Sequence, residues 1–402
     1  MRFEVVRTRV QTPLYAMRSP TPDGLLDQSI TRAQLRTTTE ASQRKKVWTH
    51  SAWVRISDNL NCTDYSIYTH KSDCIMGAKL SEAKAKPLPP GVYTPVITLY
   101  DDGPSQPVNL EAMYKHCQYL VNSGMHGLVY LGTNGELALL THEERQNIIR
   151  TARKAVTDLG IVDYPIVAGI SAQSTVETIQ CANEAAEAGA GWALLLPPSY
   201  WAKSLASDAL VAYYRDVADA SPIPVIVYNF PGVTSGIDLD SDQLSALSSH
   251  PNIVATKLTC GNVGKLTRLT SKFEHQYFGV YGGSSDYLLP TLHAGGNGCV
   301  TGLGNCFPKS TAKIYDYWVE GRLDEARELQ DLVANAEWAC KKSLACTKYG
   351  AWWYVGKSIG LDDEKMFKMR KPYVELKDDL KKWSVETMRV LEEKEKSLPG
   401  RK

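Results

Sequence analysis

The run PIVAGISAQSTVETIQCANEAAEAGAGWALLL, residues 165–196, decides the fold. It opens on a short β-branched segment at 165–168, passes through a helical pattern at 175–188 that closes on Gly189, and returns to an apolar segment at 192–196. A strand that is apolar at nearly every position is buried on both faces, as in a parallel sheet, and a crossover helix is what joins two parallel neighbours.

The same unit recurs on both sides of this run. Strands are predicted at 92–99, 127–131, 165–168, 192–196, 224–228, 253–257, 277–281 and 298–301, with helical patterns at 110–123, 143–156, 175–188, 208–220 and 288–294. Eight strands in such alternation predict a closed (β/α)₈ barrel, an α/β fold of the TIM type. An open doubly wound sheet is the alternative. It lacks support, because no G-x-G-x-x-G follows the first strand, and Gly302-Leu303-Gly304-Asn305 comes late without the third glycine. Beyond Gly321, residues 324–348 and 375–396 read as additional C-terminal helices. The expected organisation is an N-terminal extension over 1–86, a barrel over 87–321 and a helical region over 322–402.

Composition bounds the function. The 402 residues are 43% hydrophobic and 22% charged, as in a globular protein with a sizeable core. Lys plus Arg number 45 and Asp plus Glu 44, so a net charge of +1 provides no field to draw nucleic acid or an anionic membrane; a small-molecule partner fits better. No apolar stretch is long enough to span a bilayer. The 9 cysteines include no C-x-x-C pair and have no regular spacing, which points to reduced thiols inside the cell. Residues 1–86 are rich in Ser, Thr and Arg and keep neither period. Their first part faintly resembles a transit peptide, but Glu4, Asp23 and Asp27 interrupt it. A cytoplasmic location is expected, with the mitochondrion as the alternative.

In a barrel of this kind the chemistry gathers at the C-terminal ends of the strands. Lys257 closes the apolar run Ile253-Val254-Ala255-Thr256, a setting that disfavours the ammonium and leaves a neutral amine able to attack a ketone. Tyr228, ending the preceding strand, could move protons for that chemistry, and Asn229-Phe230-Pro231-Gly232 after it is a turn that fixes its backbone. In Gly132-Thr133-Asn134-Gly135-Glu136 the glycines permit close backbone approach, leaving N–H groups and the Thr133 hydroxyl to receive a carboxylate. Each motif taken singly also has a plain structural reading: a lysine reaching solvent, a tyrosine filling the core, and a capped βα turn.

Together and in this order the three motifs resemble the pyruvate-dependent class I aldolases and lyases, the family of dihydrodipicolinate synthase, N-acetylneuraminate lyase and 4-hydroxy-2-oxoglutarate aldolase. The resemblance covers about residues 88–360 and implies a (β/α)₈ barrel, usually tetrameric, that joins a lysine to pyruvate as a Schiff base. It gives Lys257 the role of that lysine and Tyr228 that of the proton shuttle, with Thr133 and Asn134 binding the pyruvyl carboxylate. Tyr200, in Pro197-Pro198-Ser199-Tyr200, matches a tyrosine lent across a dimer interface, and Gly282 and Val300 fall where the family lines the floor of the pocket.

Two departures narrow the activity that the resemblance implies. Val233 stands where dihydrodipicolinate synthases use an arginine for a second carboxylate, and Asn134 stands where they tend to carry threonine. The closest likeness, through Tyr228-Asn229-Phe230-Pro231-Gly232 and Lys257-Leu258-Thr259-Cys260-Gly261-Asn262, is to the fungal L-threo-3-deoxy-hexulosonate aldolases. The expected reaction is reversible cleavage of a 2-keto-3-deoxy acid to pyruvate and an aldehyde such as L-glyceraldehyde. A 4-hydroxy-2-oxoglutarate aldolase and a dihydrodipicolinate synthase-like condensing enzyme are the alternatives, and a catalytically silent pyruvate-binding homologue is the reading from another class. No cofactor and no metal is expected: the 8 histidines are scattered, without H-x-H or H-E-x-x-H.

Overall fold

A computed structural model describes residues 84–400. The extension expected over 1–86 therefore lies outside the described residues up to position 83. Eight parallel strands close in chain order, each pairing with the next and β8 with β1. They are β1 (Gly91–Pro95), β2 (Gly127–Tyr130), β3 (Ile166–Gly169), β4 (Trp192–Leu195), β5 (Val225–Asn229), β6 (Ile253–Leu258), β7 (Gly279–Gly282) and β8 (Gly298–Val300). Between successive strands run α1 (Leu110–Asn122), α2 (His142–Asp158), α3 (Thr175–Glu187), α4 (Ser207–Ala220), α5 (Ser241–Ser248), α6 (Val263–Thr270) and α7 (Leu288–His293). After β8 come α8 (Pro308–Val319), α9 (Leu323–Lys342), α10 (Leu344–Tyr354), α11 (Asp378–Met388) and α12 (Glu392–Ser397). The fold is a TIM barrel with C-terminal helices, as the alternation predicts.

Local chemistry sets where elements start and stop. Thr141 caps α2 through a reciprocal capping box with Glu144, and Asp240 caps α5 with Gln243 in the same way. The first strand is shorter than the apolar run 92–99 implies. Past Pro95 the amide of Ile97 turns to the Asn305 side chain (3.2 Å), so residues 97–99 are buried but leave the ladder. The continuous helix expected over 324–348 is broken at Ser343, whose backbone is extended (φ −169°, ψ 159°) and whose hydroxyl caps α10 by accepting from the Cys346 N–H. The helices α5 and α6, of 8 residues each, add to the helical patterns read from the sequence.

The core divides in two. One shell packs the outer faces of the strands against the helices. The other fills the barrel itself, with Tyr93, Val129, Val167, Leu194, Ile226, Tyr228, Tyr281 and Val300 pointing inward. The N-terminal end of the barrel is closed by the chain before β1. Leu88 packs into the inner cluster, and the hydroxyls of Tyr281 and Tyr93 donate to the carbonyls of Leu88 (2.7 Å) and Pro89 (2.6 Å). In barrels of this kind the mouth that carries the chemistry is the opposite end, where the strand C-termini lie.

The barrel also buries a base. His116 on α1 is fully buried, and burial lowers its pKa from 6.5 to about 4, with a contact to the Asn305 backbone opposing the shift. A histidine whose folded-state pKa lies below its unfolded value contributes stability in full above the unfolded pKa, and that contribution is lost as the pH falls through the folded one. Thermal unfolding followed between about pH 7 and pH 4 is therefore expected to show a loss on the order of 3 kcal/mol from this group. His116→Leu should flatten that acid limb; a wild-type slope in the variant would contradict it.

Candidate active site

The register of two strands builds the centre of the site. Tyr228 on β5 pairs with Lys257 on β6, and Lys257 pairs in turn with Tyr281 on β7. Both side chains are buried, Lys257 at 4% exposure and Tyr228 at 3%, and the lysine Nζ lies 4.0 Å from the centroid of the Tyr228 ring. Phe230, just past β5, stacks loosely on Tyr228 with centroids 6.0 Å apart and planes inclined by 31°. The amine thus sits among rings and aliphatic side chains at the top of the inner cluster.

The loop after β2 brings the third group. Thr133 Oγ1 lies 3.4 Å from the Tyr228 hydroxyl, so hydroxyl, phenol and amine form a row across the barrel mouth. The loop is tightly wound: Leu131 and Glu136 both take left-handed backbone conformations (φ 57° and 55°). Gly169 on β3 makes room for it, since a Cβ there would fall 1.8 Å from the Leu131 carbonyl oxygen. Among the described residues none accepts a hydrogen bond from the N–H of Thr133 or Asn134. Unpaired amides beside a hydroxyl are chemically able to receive an anion. The Asn134 side chain packs toward Gly302, where an added Cβ would meet its Nδ2 at 2.9 Å, so its backbone rather than its amide is what the loop leaves free.

The remaining residues singled out in the sequence are placed differently. Val300 faces the barrel interior within the inner cluster. Gly282 ends β7 with its Cβ direction turned outward, toward Thr291 and Tyr287, so it meets the site only through its backbone. Tyr200 is not brought to the other groups: it lies on the loop after β4, 80% exposed, against the ring of Trp201 with centroids 5.6 Å apart. Val233 sits partly exposed in the turn after β5.

Several supporting residues escaped the sequence reading. Asn229 donates to Asp238 (2.6 Å) and accepts from the Leu239 N–H (2.9 Å), while Lys265 donates to Asp238 (2.5 Å). This knot fixes the backbone next to Tyr228. Burial works to raise the Asp238 pKa, but the bonds from Asn229 and Lys265 outweigh it and hold the carboxyl below its usual value. Glu337 on α9 accepts from the Ser285 N–H (2.9 Å) and from the Thr301 hydroxyl (2.9 Å), tying together the chain past β7 and past β8; burial pushes its carboxyl pKa up. Nothing in the sequence pairs Asp238 with Lys265 or Glu337 with Thr301.

Among the described residues, His142, Cys181 and Glu184 are the group of potential metal ligands that lie close together, within 4.8 Å of one another. They belong to α2 and α3, not to the strand ends, and Arg145 donates to Cys181 Sγ (3.5 Å). A cationic guanidinium so placed opposes a bound cation.

An amine in apolar surroundings, a phenol beside it and an anion cradle within reach of both are the parts needed to form and work an imine of a keto acid. Comparison with known proteins agrees with that chemistry. The model of the Dihydrodipicolinate synthetase family matches residues 89–391. The L-threo-3-deoxy-hexylosonate aldolase of Aspergillus niger is 38% identical over 338 residues, covering 78% of this chain and 98% of that protein. A Coccidioides immitis protein provisionally named as a mitochondrial 4-hydroxy-2-oxoglutarate aldolase is 43% identical over 286 residues, covering 71% of this chain and 90% of its own. Among solved structures, an E. coli K12 prophage protein of the dihydrodipicolinic acid synthase family, crystallised in complex with pyruvate, superposes with a TM-score of 0.65 at 25% identity, covering 76% of this chain and 98% of that one. With the family match running from the segment that seals the barrel to the last helices, this chain belongs to the dihydrodipicolinate synthetase family.

Proposed function

We propose that Lys257 forms a Schiff base with the ketone of a 2-keto-3-deoxy acid and that the enzyme cleaves L-threo-3-deoxy-hexulosonate reversibly to pyruvate and L-glyceraldehyde. The chain is an aldolase of its family, a carbon–carbon lyase. The observation that carries the reading is the buried Lys257 amine 4.0 Å from the Tyr228 ring, with Thr133 beside the phenol.

In its neutral form Lys257 attacks C2, and the carbinolamine loses water to give an iminium. Tyr228, left as the phenolate after giving its proton to the departing carbinolamine hydroxyl, takes the proton of the C4 hydroxyl, the C3–C4 bond breaks, and its electron pair passes into the iminium to give an enamine as the aldehyde leaves. Protonation at C3 and hydrolysis then release pyruvate and restore the amine. The Thr133 hydroxyl and the free N–H groups of Thr133 and Asn134 hold the carboxylate throughout, while Val300 and the backbone of Gly282 border the reacting carbons.

The choice of substrate rests on the walls of the mouth. The hydroxyls of Thr259, past β6, and Ser284, past β7, are buried without a hydrogen-bond partner among the described residues, and the turn after Tyr228 presents the apolar Val233. Hydroxyl groups suit the polyol tail of a sugar acid, whereas a second carboxylate would want a guanidinium. We assign Tyr200 a role in a homo-oligomer: its exposed ring pairs with Trp201, 75% exposed, as an aromatic patch for a second copy, through which it would join the partner's relay. No described helix is long and apolar enough to cross a membrane. A cytoplasmic location is the reading from composition; the mitochondrial names of relatives favour the second compartment.

Reduction with borohydride in the presence of pyruvate should leave one adduct, on Lys257, by peptide mass spectrometry. An adduct elsewhere, or unimpaired turnover by Lys257→Ala, contradicts the assignment. Tyr228→Phe is expected to lower kcat by about 10²–10⁴-fold while pyruvate still traps on Lys257; a kcat within twofold of wild type removes Tyr228 from the relay. In a panel of keto acids, pyruvate release from L-threo-3-deoxy-hexulosonate should outpace release from 4-hydroxy-2-oxoglutarate, and the reverse order would reassign the substrate.

A further inference from the structure

The loop that carries the anion cradle is gripped from outside the barrel. Glu136, the last residue of Gly132-Thr133-Asn134-Gly135-Glu136, is buried in a left-handed conformation (φ 55°). Its Oε1 accepts from Lys348 Nζ on α10 (2.5 Å), with the two side chains exposed by 1% and 0%. Its Oε2 accepts from the backbone N–H of Arg370, in the segment before α11 (2.9 Å). Lys348 also donates to the Thr98 carbonyl (2.7 Å), and the Thr98 hydroxyl donates to the Gly135 carbonyl (2.7 Å), so the same lysine reaches the loop by two routes. The Arg370 guanidinium completes the clasp on Leu139 O and on both oxygens of Glu144.

A fully buried ion pair is a poor source of net stability but a strong fixer of geometry, because few other arrangements satisfy both charges. A loop with left-handed residues at Leu131 and Glu136, held in this way, keeps its free amides in one arrangement. We propose that Glu136 and Lys348 are positioning residues: the C-terminal helices hold the Thr133–Asn134 backbone in the shape that receives the keto-acid carboxylate. The inference rests on the reading of Lys257 and Thr133 given above and extends it to residues that touch no substrate. A carboxylate anchor acts on bound substrate and transition state alike, so its loss appears in half-saturation and not in the maximal rate.

The test measures borohydride trapping of pyruvate against pyruvate concentration. Lys348→Met alone would strand a buried carboxylate and could unfold the chain, so the informative variant is the double substitution Glu136→Gln with Lys348→Met, which leaves no lone charge. With thermal stability near that of wild type, it should need about tenfold more pyruvate for half-maximal trapping, while the limiting rate on Lys257 stays within about twofold. Lys348→Arg, which keeps the charge, should lie between the two. A wild-type half-saturation in the folded double variant overturns the proposal, as does a fall confined to the limiting rate. Failure of wild-type protein to trap pyruvate on Lys257 would instead count against the Schiff-base reading itself, so the two failures are distinguishable.

Discussion

An amine has to be kept inside an apolar barrel, against the ring of a phenol, with no carboxylate among the described residues paired to it. Most of the structure around the mouth answers to that constraint. The register of β5 with β6 sets Lys257 beside Tyr228, the inner cluster removes bulk water from around the amine, and Leu88 with the Tyr93 and Tyr281 hydroxyl bonds seals the far end. In such surroundings electrostatic contacts gain strength, and the amine is held against the Tyr228 ring inside the barrel instead of in bulk water.

Keeping the pair in place calls for a rigid frame on each side. Beneath Tyr228, the Asn229–Asp238–Lys265 knot fixes the turn. Beside it, the Glu136–Lys348 pair fixes the cradle loop, and Glu337 joins the chain past β7 to the chain past β8. Lys348, Arg370 and Glu337 all lie beyond the last strand, so the C-terminal helices take part in shaping the mouth as well as covering the barrel.

Much of this was legible from residue order, and the reasons differ by feature. The strands stand out because parallel strands in a barrel are buried on both faces and read as unbroken apolar runs. The same property hides where β1 ends, since residues 97–99 are as apolar as the ladder itself and only the side chain of Asn305, far along the chain, draws the backbone away. The break between α9 and α10 hangs on one residue, Ser343, inside an otherwise helical pattern. Within the site, Lys257, Tyr228 and Thr133 are readable because strand ends concentrate chemistry. Glu136 sits inside a motif visible in the sequence, yet its partner lies 212 residues away. The pairings of Asp238 with Lys265 and of Glu337 with Thr301 are likewise products of closure in three dimensions, which no periodicity encodes. Tyr200 is the reverse case: it stands out by resemblance, and in one copy of the chain its ring faces solvent.

The most direct test of the account is a crystal structure of the protein soaked with pyruvate. Continuous density is expected from Lys257 Nζ to C2 of the ligand, with the ligand carboxylate on the N–H groups of Thr133 and Asn134 and the Tyr228 hydroxyl turned toward the reacting carbons. Pyruvate held without a bond to Lys257, or bound with its carboxylate away from that loop, would contradict it.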